Sequence, residues 1–176
     1  MNFREQLLAE PSKKNTEFIA SVVDKDLALF SEMMKLVYSN EPYVSGRAAW
    51  VVETIWLKYP SLIESYILQM IEFLPHAKYN NQRRHFTKIL STIDLKQLDE
   101  EHLGILIDCC FTWLEEPQYP TAVKMFSMLI LQNFVQLEPD IATELIAIIE
   151  NQMEDATPGF QNRGRKTLLE LNKFVQ

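Results

Sequence analysis

This 176-residue sequence predicts an all-α solenoid of stacked helix pairs, on three observations. The first is a period of about forty residues, the length of one helix pair. Leu62, Ile63, Tyr66, Ile67, Met70, Ile71 and Leu74 follow Tyr59-Pro60. One period later stand His102, Leu103, Leu106, Ile107, Cys110, Phe111 and Leu114. A third copy follows Glu138-Pro139 as Ile141, Ala142, Leu145, Ile146 and Ile149. The second observation is composition. With four glycines and eight prolines the chain has too few turn residues for many hairpins, while Leu, Ile, Glu, Lys and Met recur at three-four spacing. The third is punctuation: Pro42, Pro60, Pro75, Pro117, Pro120, Pro139 and Pro158 fall at junctions, where a missing N–H costs least.

The elements follow in order. Helical signals begin near Asn2, restart after Pro11 with Asn15 as the candidate cap, and restart at Asp24 to Asp26 ahead of Leu27, Phe30, Met33, Met34 and Val37. From Pro42 the alternation is regular. First helices are expected over 44–58, 81–93 and 121–136, second helices over 60–74, 98–115 and 139–154, and an unpaired helix over 160–174. The chain reads as one domain: an irregular N-terminal helical cap over 1–40, helix-pair repeats over 41–155 and a C-terminal capping helix over 156–176. Atypical terminal units are what a solenoid needs to cover its core.

Paired amphipathic helices, proline at the turn within a pair (Tyr59-Pro60, Glu138-Pro139) and arginines early in first helices (Arg47, Arg83, Arg84, Arg163, Arg165) carry a family resemblance. Over about 41–174 the chain resembles the HEAT and armadillo-like α-solenoid repeats, although it lacks a regular Asp at the turn within each pair, Asp94 and Asp140 standing nearest. The resemblance implies a right-handed α-α superhelix whose second helices line a concave face. It implies binding of other macromolecules, no particular ligand and no catalysis.

Composition excludes several classes. A 47% hydrophobic and 23% charged chain is that of a folded protein. No apolar stretch reaches the roughly 20 residues a spanning helix needs. Met1-Asn2-Phe3-Arg4-Glu5 opens no hydrophobic signal core, so a cytoplasmic location is expected. Cys109 and Cys110 are helical neighbours that cannot easily meet disulfide geometry and are expected as free thiols.

Charge gives the sharpest functional expectation. The second helices carry Glu64 and Glu72; then Asp99, Glu100, Glu101, Asp108, Glu115 and Glu116; then Glu138, Asp140, Glu144, Glu150, Glu154 and Asp155, with no Lys or Arg. The helix dipole accounts for acids at N-termini but disfavours Glu115, Glu116, Glu154 and Asp155 at C-termini. The expected role is therefore a non-enzymatic adaptor. Its acidic concave face, with Glu64, Glu72, Asp108, Thr112, Glu144 and Asn151, would receive a basic peptide or protein surface. An ordinary solvated face is the plain alternative.

Two other readings remain open. Arg47, Arg83 and Arg163 would oppose the dipole in a first turn, so a ladder of carboxylate partners is expected for them. Their functional rival is a basic ridge of Arg83, Arg84, Arg163 and Arg165 serving a nucleic-acid-binding or repair protein, against which a net charge of −7 argues. Alternatively Leu168, Leu169, Leu171, Phe174 and Val175 offer an apolar stripe on the last helix for a homodimer.

No catalytic residues, metal site or cofactor are expected. His76, His85 and His102 lack ligand spacing, and there is no phosphate loop or nucleophile elbow. Trp50, Trp56, Tyr59, Trp113 and Tyr119 read mainly as packing, with Tyr59, Trp113 and Tyr119 expected to keep an exposed edge.

Overall fold

The computed structural model describes residues 1–175. Among them are eleven α-helices and no strand: α1 Phe3–Ala9, α2 Lys13–Val23, α3 Leu27–Tyr38, α4 Val44–Trp56, α5 Pro60–Glu64, α6 Ile67–Phe73, α7 Asn80–Leu90, α8 Glu100–Glu115, α9 Thr121–Phe134, α10 Ala142–Met153 and α11 Pro158–Leu171. Short 3-10 turns occupy Leu74–His76, Leu95–Gln97 and Pro139–Ile141. No helix among the described residues is long and apolar enough to cross a membrane. Helix packing divides the chain into two compact units, Met1–Ile89 and a second beginning at Leu90.

Unit 1 is built by local capping followed by apolar burial. Ser12 caps α2, its Oγ accepting from the Asn15 amide at 3.1 Å. Asn15 therefore lies inside the helix instead of capping it. Its buried side chain donates to the Gln6 and Glu10 carbonyls, both at 2.9 Å, and closes the α1–α2 turn. Asp26 Oδ1 accepts from the Ala28 and Leu29 amides and starts α3. Phe30, Met33, Met34 and Val37 of α3 pack on α4, which buries Val51, Val52 and Ile55. The second helix expected over 60–74 is broken at Ser65 and Tyr66 into α5 and α6. Ile63, Met70 and Ile71 still reach the core from the two pieces.

Unit 2 keeps the second helix α8 continuous, while the one expected over 139–154 opens as the 3-10 turn Pro139–Ile141 ahead of α10. Asp99 caps α8, accepting from the His102 amide at 3.0 Å, and Leu106, Cys110 and Leu114 bury one face against α9. Ile130, Leu131 and Val135 fill the middle, while α11 packs on α9 and α10 and contributes Phe160 and Leu171. Cys109 and Cys110 are free thiols. Two expectations are corrected. Trp113 is 4% exposed and leaves no accessible edge. Leu171 is fully buried, so the apolar stripe of the last helix is interrupted, with Leu169 and Val175 exposed on either side of it in sequence.

Candidate functional site

The six residues expected on an acidic second-helix face all sit at the surface of their own unit: Glu64 and Glu72 on α5 and α6, Asp108 and Thr112 on α8, Glu144 and Asn151 on α10. On α8 the reason is helical periodicity. Glu101, Gly104, Asp108, Thr112 and Glu115 recur at three and four residues and face away from Leu106, Cys110 and Leu114.

The acidic load is uneven. Residues 1–89 hold eleven Lys and Arg against ten Asp and Glu, and residues 90–176 hold six against fourteen, so the net charges are +1 and −8, together the −7 of the chain. Between Gln97 and Asn162 stand twelve carboxylates, all exposed except the half-buried Glu116, and a single cation, Lys124. Lys124 is 8% exposed and cannot screen the surface. Its ammonium donates inward, to the Leu114 carbonyl at 2.8 Å and to Gln152 Oε1 at 2.6 Å, and burial lowers its pKa. Gln152 Nε2 donates to the same Leu114 carbonyl at 3.0 Å. The Leu114 carbonyl near the end of α8 is thus bound from both α9 and α10, which ties the two acidic helices to each other. Nothing in the sequence marked Lys124 as buried, since lysine is among the residues least often found inside.

Arg47 and Arg83 make hydrogen bonds beyond those of the expected carboxylate ladder. Arg47 Nη1 donates to the Leu7 and Leu8 carbonyls at the C-terminal end of α1, at 2.6 and 3.3 Å. Arg83 donates to the Ala77 and Lys78 carbonyls and to Asn80 Oδ1. Both guanidiniums bind main-chain or amide oxygens, so the dipole conflict is resolved by using the cation on carbonyls left unpaired by a helix end or turn. Within unit 1, Arg84 is exposed. In unit 2, Arg163 is half-buried and Arg165 is exposed, directed to Gln161 Oε1 at 3.3 Å.

A model of a HEAT repeat domain matches residues 3–171. The chain belongs to the HEAT repeat family. No curated protein and no solved structure matches it. The family assignment reaches back through α1, α2 and α3, so the segment expected as an irregular cap lies within the HEAT repeat match. HEAT repeats serve as protein-interaction scaffolds and are typically non-enzymatic.

One cluster in this HEAT repeat chain escaped sequence reasoning. Glu53 of α4 is 5% exposed, and its two carboxylate oxygens engage His85 Nδ1, at 2.5 Å, and Lys88 Nζ, both from α7. Burial works to raise the Glu53 pKa; the hydrogen bonds from His85 and Lys88 outweigh it and hold the carboxyl below its ordinary range. Trp50 stacks on His85 with ring centroids 6.0 Å apart and planes at 10°. Glu53 and Lys88 are thirty-five residues apart, and no local spacing rule links them.

Proposed function

We propose that the chain is a non-enzymatic cytoplasmic adaptor whose second-helix surface receives a basic peptide or protein, with the acidic surface of unit 2 supplying recognition. The observation that carries this reading is the run of twelve carboxylates from Asp99 to Asp155 with its one cation turned inward. Like charges held on adjacent helices repel, and four of these acids stand at or just beyond helix C-termini where the dipole also disfavours them. A cationic partner relieves both costs and is steered toward the surface. On α8 and α10 the residues in play are Asp108, Thr112, Glu144 and Asn151, while in unit 1 Glu64 and Glu72 mark the equivalent helices.

The test uses a labelled Lys/Arg-rich peptide titrated against the intact chain at low and physiological salt. Binding is expected to weaken steeply with salt and to be lost in an Asp108→Lys/Glu144→Lys variant. It should be retained in Glu32→Lys, an exposed change on α3. Equal binding by the double variant overturns the reading. Two competing proposals have their own outcomes: preferential retention of duplex DNA favours the arginine ridge of Arg83, Arg84, Arg163 and Arg165. Dimerisation without peptide binding favours self-association through α11.

A further inference from the structure

In unit 1 a pocket of about 370 Å³ is lined by Lys13 and Glu17 of α2, Trp50, Glu53 and Thr54 of α4, Leu57 and Lys58 just beyond it, and Lys88 of α7. Its size lies toward the lower end of the range for small-molecule sites, roughly 300–1,000 Å³. Glu53 and Lys88 of the buried cluster lie on its wall, while His85 stands behind them, bonded to Glu53. Neighbouring helices of this fold can also meet without ions. In unit 2 the contact between neighbouring first helices α9 and α11 is made by neutral groups, Thr167 Oγ1 donating to Gln132 Oε1 at 2.8 Å and Thr121 bonding Thr157 at 2.9 Å. A buried ion cluster adds little stability over an apolar or neutral contact of the same shape. In unit 1 the ionic groups lie instead beside an open pocket.

Charge and shape narrow what that pocket can hold. Three ammoniums, Lys13, Lys58 and Lys88, face two carboxylates, Glu17 and Glu53, and Glu53 is already compensated by His85 and Lys88. Lys13 is only loosely paired with Glu17, at 3.6 Å with 79% of its side chain exposed, and Lys58 is exposed. The pocket thus carries net positive charge in a chain of net −7. Trp50 gives it a flat apolar wall, its ring stacked on His85.

We infer that this pocket binds a small planar anion, its ring lying against Trp50 and its phosphate or carboxylate held by Lys13 and Lys58. The Glu53–His85–Lys88 cluster acts as the positioning element, holding Trp50 and the Lys88 ammonium in place beneath the ligand. This site is separate from the acidic surface of unit 2, and the two readings stand or fall independently.

The experiment titrates the intact chain, by calorimetry and tryptophan fluorescence, with nucleoside monophosphates, with benzoate, with inorganic phosphate and with an uncharged nucleoside. Saturable binding is expected for one ring-bearing anion class, about tenfold or more tighter than for phosphate alone or the uncharged nucleoside. Which of the first two binds distinguishes a phosphate ligand from a carboxylate one. Lys58→Ala and Trp50→Phe should weaken it by about tenfold and a few-fold respectively. Lys58 is at the surface, so its variant will fold, and an unchanged thermal melt checks this. No saturable binding by either anion class, or binding indifferent to Lys58→Ala, overturns the inference.

Discussion

The two units solve the same problem, holding neighbouring first helices together, with opposite chemistry. Unit 1 joins α4 to α7 through a buried carboxylate between a histidine and a lysine. Unit 2 joins α9 to α11 through a glutamine and a threonine, and keeps the buried cation Lys124 for main-chain and amide oxygens. Their surfaces divide the other way, near-neutral for unit 1 and strongly acidic for unit 2. The repeat architecture needs apolar faces and closed helix ends, and the placement of ionic groups beyond that differs between the units.

The largest expected difference is at those contacts. Glu53→Ala removes the carboxylate that His85 and Lys88 share and should cost about 2–3 kcal/mol. Gln132→Ala, which removes one neutral hydrogen bond, should cost about 1 kcal/mol. Urea unfolding of both variants measures the gap, and equal losses would dissolve the comparison. The acid limb gives the same contrast. Because Glu53 is held below its ordinary value of 4.5, its contribution is present above that pH and is lost as pH falls through the lower folded value. Stability should therefore decline more steeply below about pH 4.5 in the wild type than in Glu53→Gln. Glu41 and Asp99, also lowered, remain in both proteins and cancel in the difference.

Close helix approach provides the next test. A Cβ at Gly46 would lie 2.8 Å from Asn81 Cβ, a relatively fixed atom, so Gly46→Ala should destabilise by about 1–3 kcal/mol. In unit 2 a Cβ at Gly164 meets Met153 Sδ at 2.6 Å, the far part of a flexible side chain. Repacking of that methionine, with a helix-propensity gain of about 1 kcal/mol for alanine, should leave Gly164→Ala much milder. Thermal melts of the pair rank them.

A smaller effect of the opposite sign is expected at Tyr38. Its ring packs on Phe73 and Phe86, yet its hydroxyl is buried without a hydrogen-bond partner and burial pushes the phenol pKa upward. Tyr38→Phe should stabilise by about 1 kcal/mol, and a loss of stability on denaturation would show that the hydroxyl contributes. Smallest of all, Asp108→Lys and Glu144→Lys should each move stability by no more than about 0.5 kcal/mol, because both are exposed. Any loss of peptide binding in that variant is then a loss of recognition.

Helical periodicity and proline placement made the repeat legible, because core positions such as Met70, Cys110 and Ile149 must recur on one helix face whatever surrounds them. The acid-only second helices were legible for the same reason, since charge on a known face can be counted. The break at Ser65–Tyr66 was not: the apolar spacing of residues 62–74 suits one helix, and Ile63 and Met70 remain buried on both sides of it. Asn15 was read as a cap from its residue type, when Ser12 three positions earlier occupies that place. Glu53, His85, Lys88 and Lys124 stayed hidden because their partners come from other helices, and burial of a charge is settled only by the groups that meet it.

The most direct test of the central claim is to map the cationic peptide onto the chain by amide chemical-shift perturbation. The account predicts perturbation along α8 and α10, centred near Asp108 and Glu144 and fading as salt is raised. Perturbation confined to the arginines of α7 and α11, with α8 and α10 silent, would contradict it.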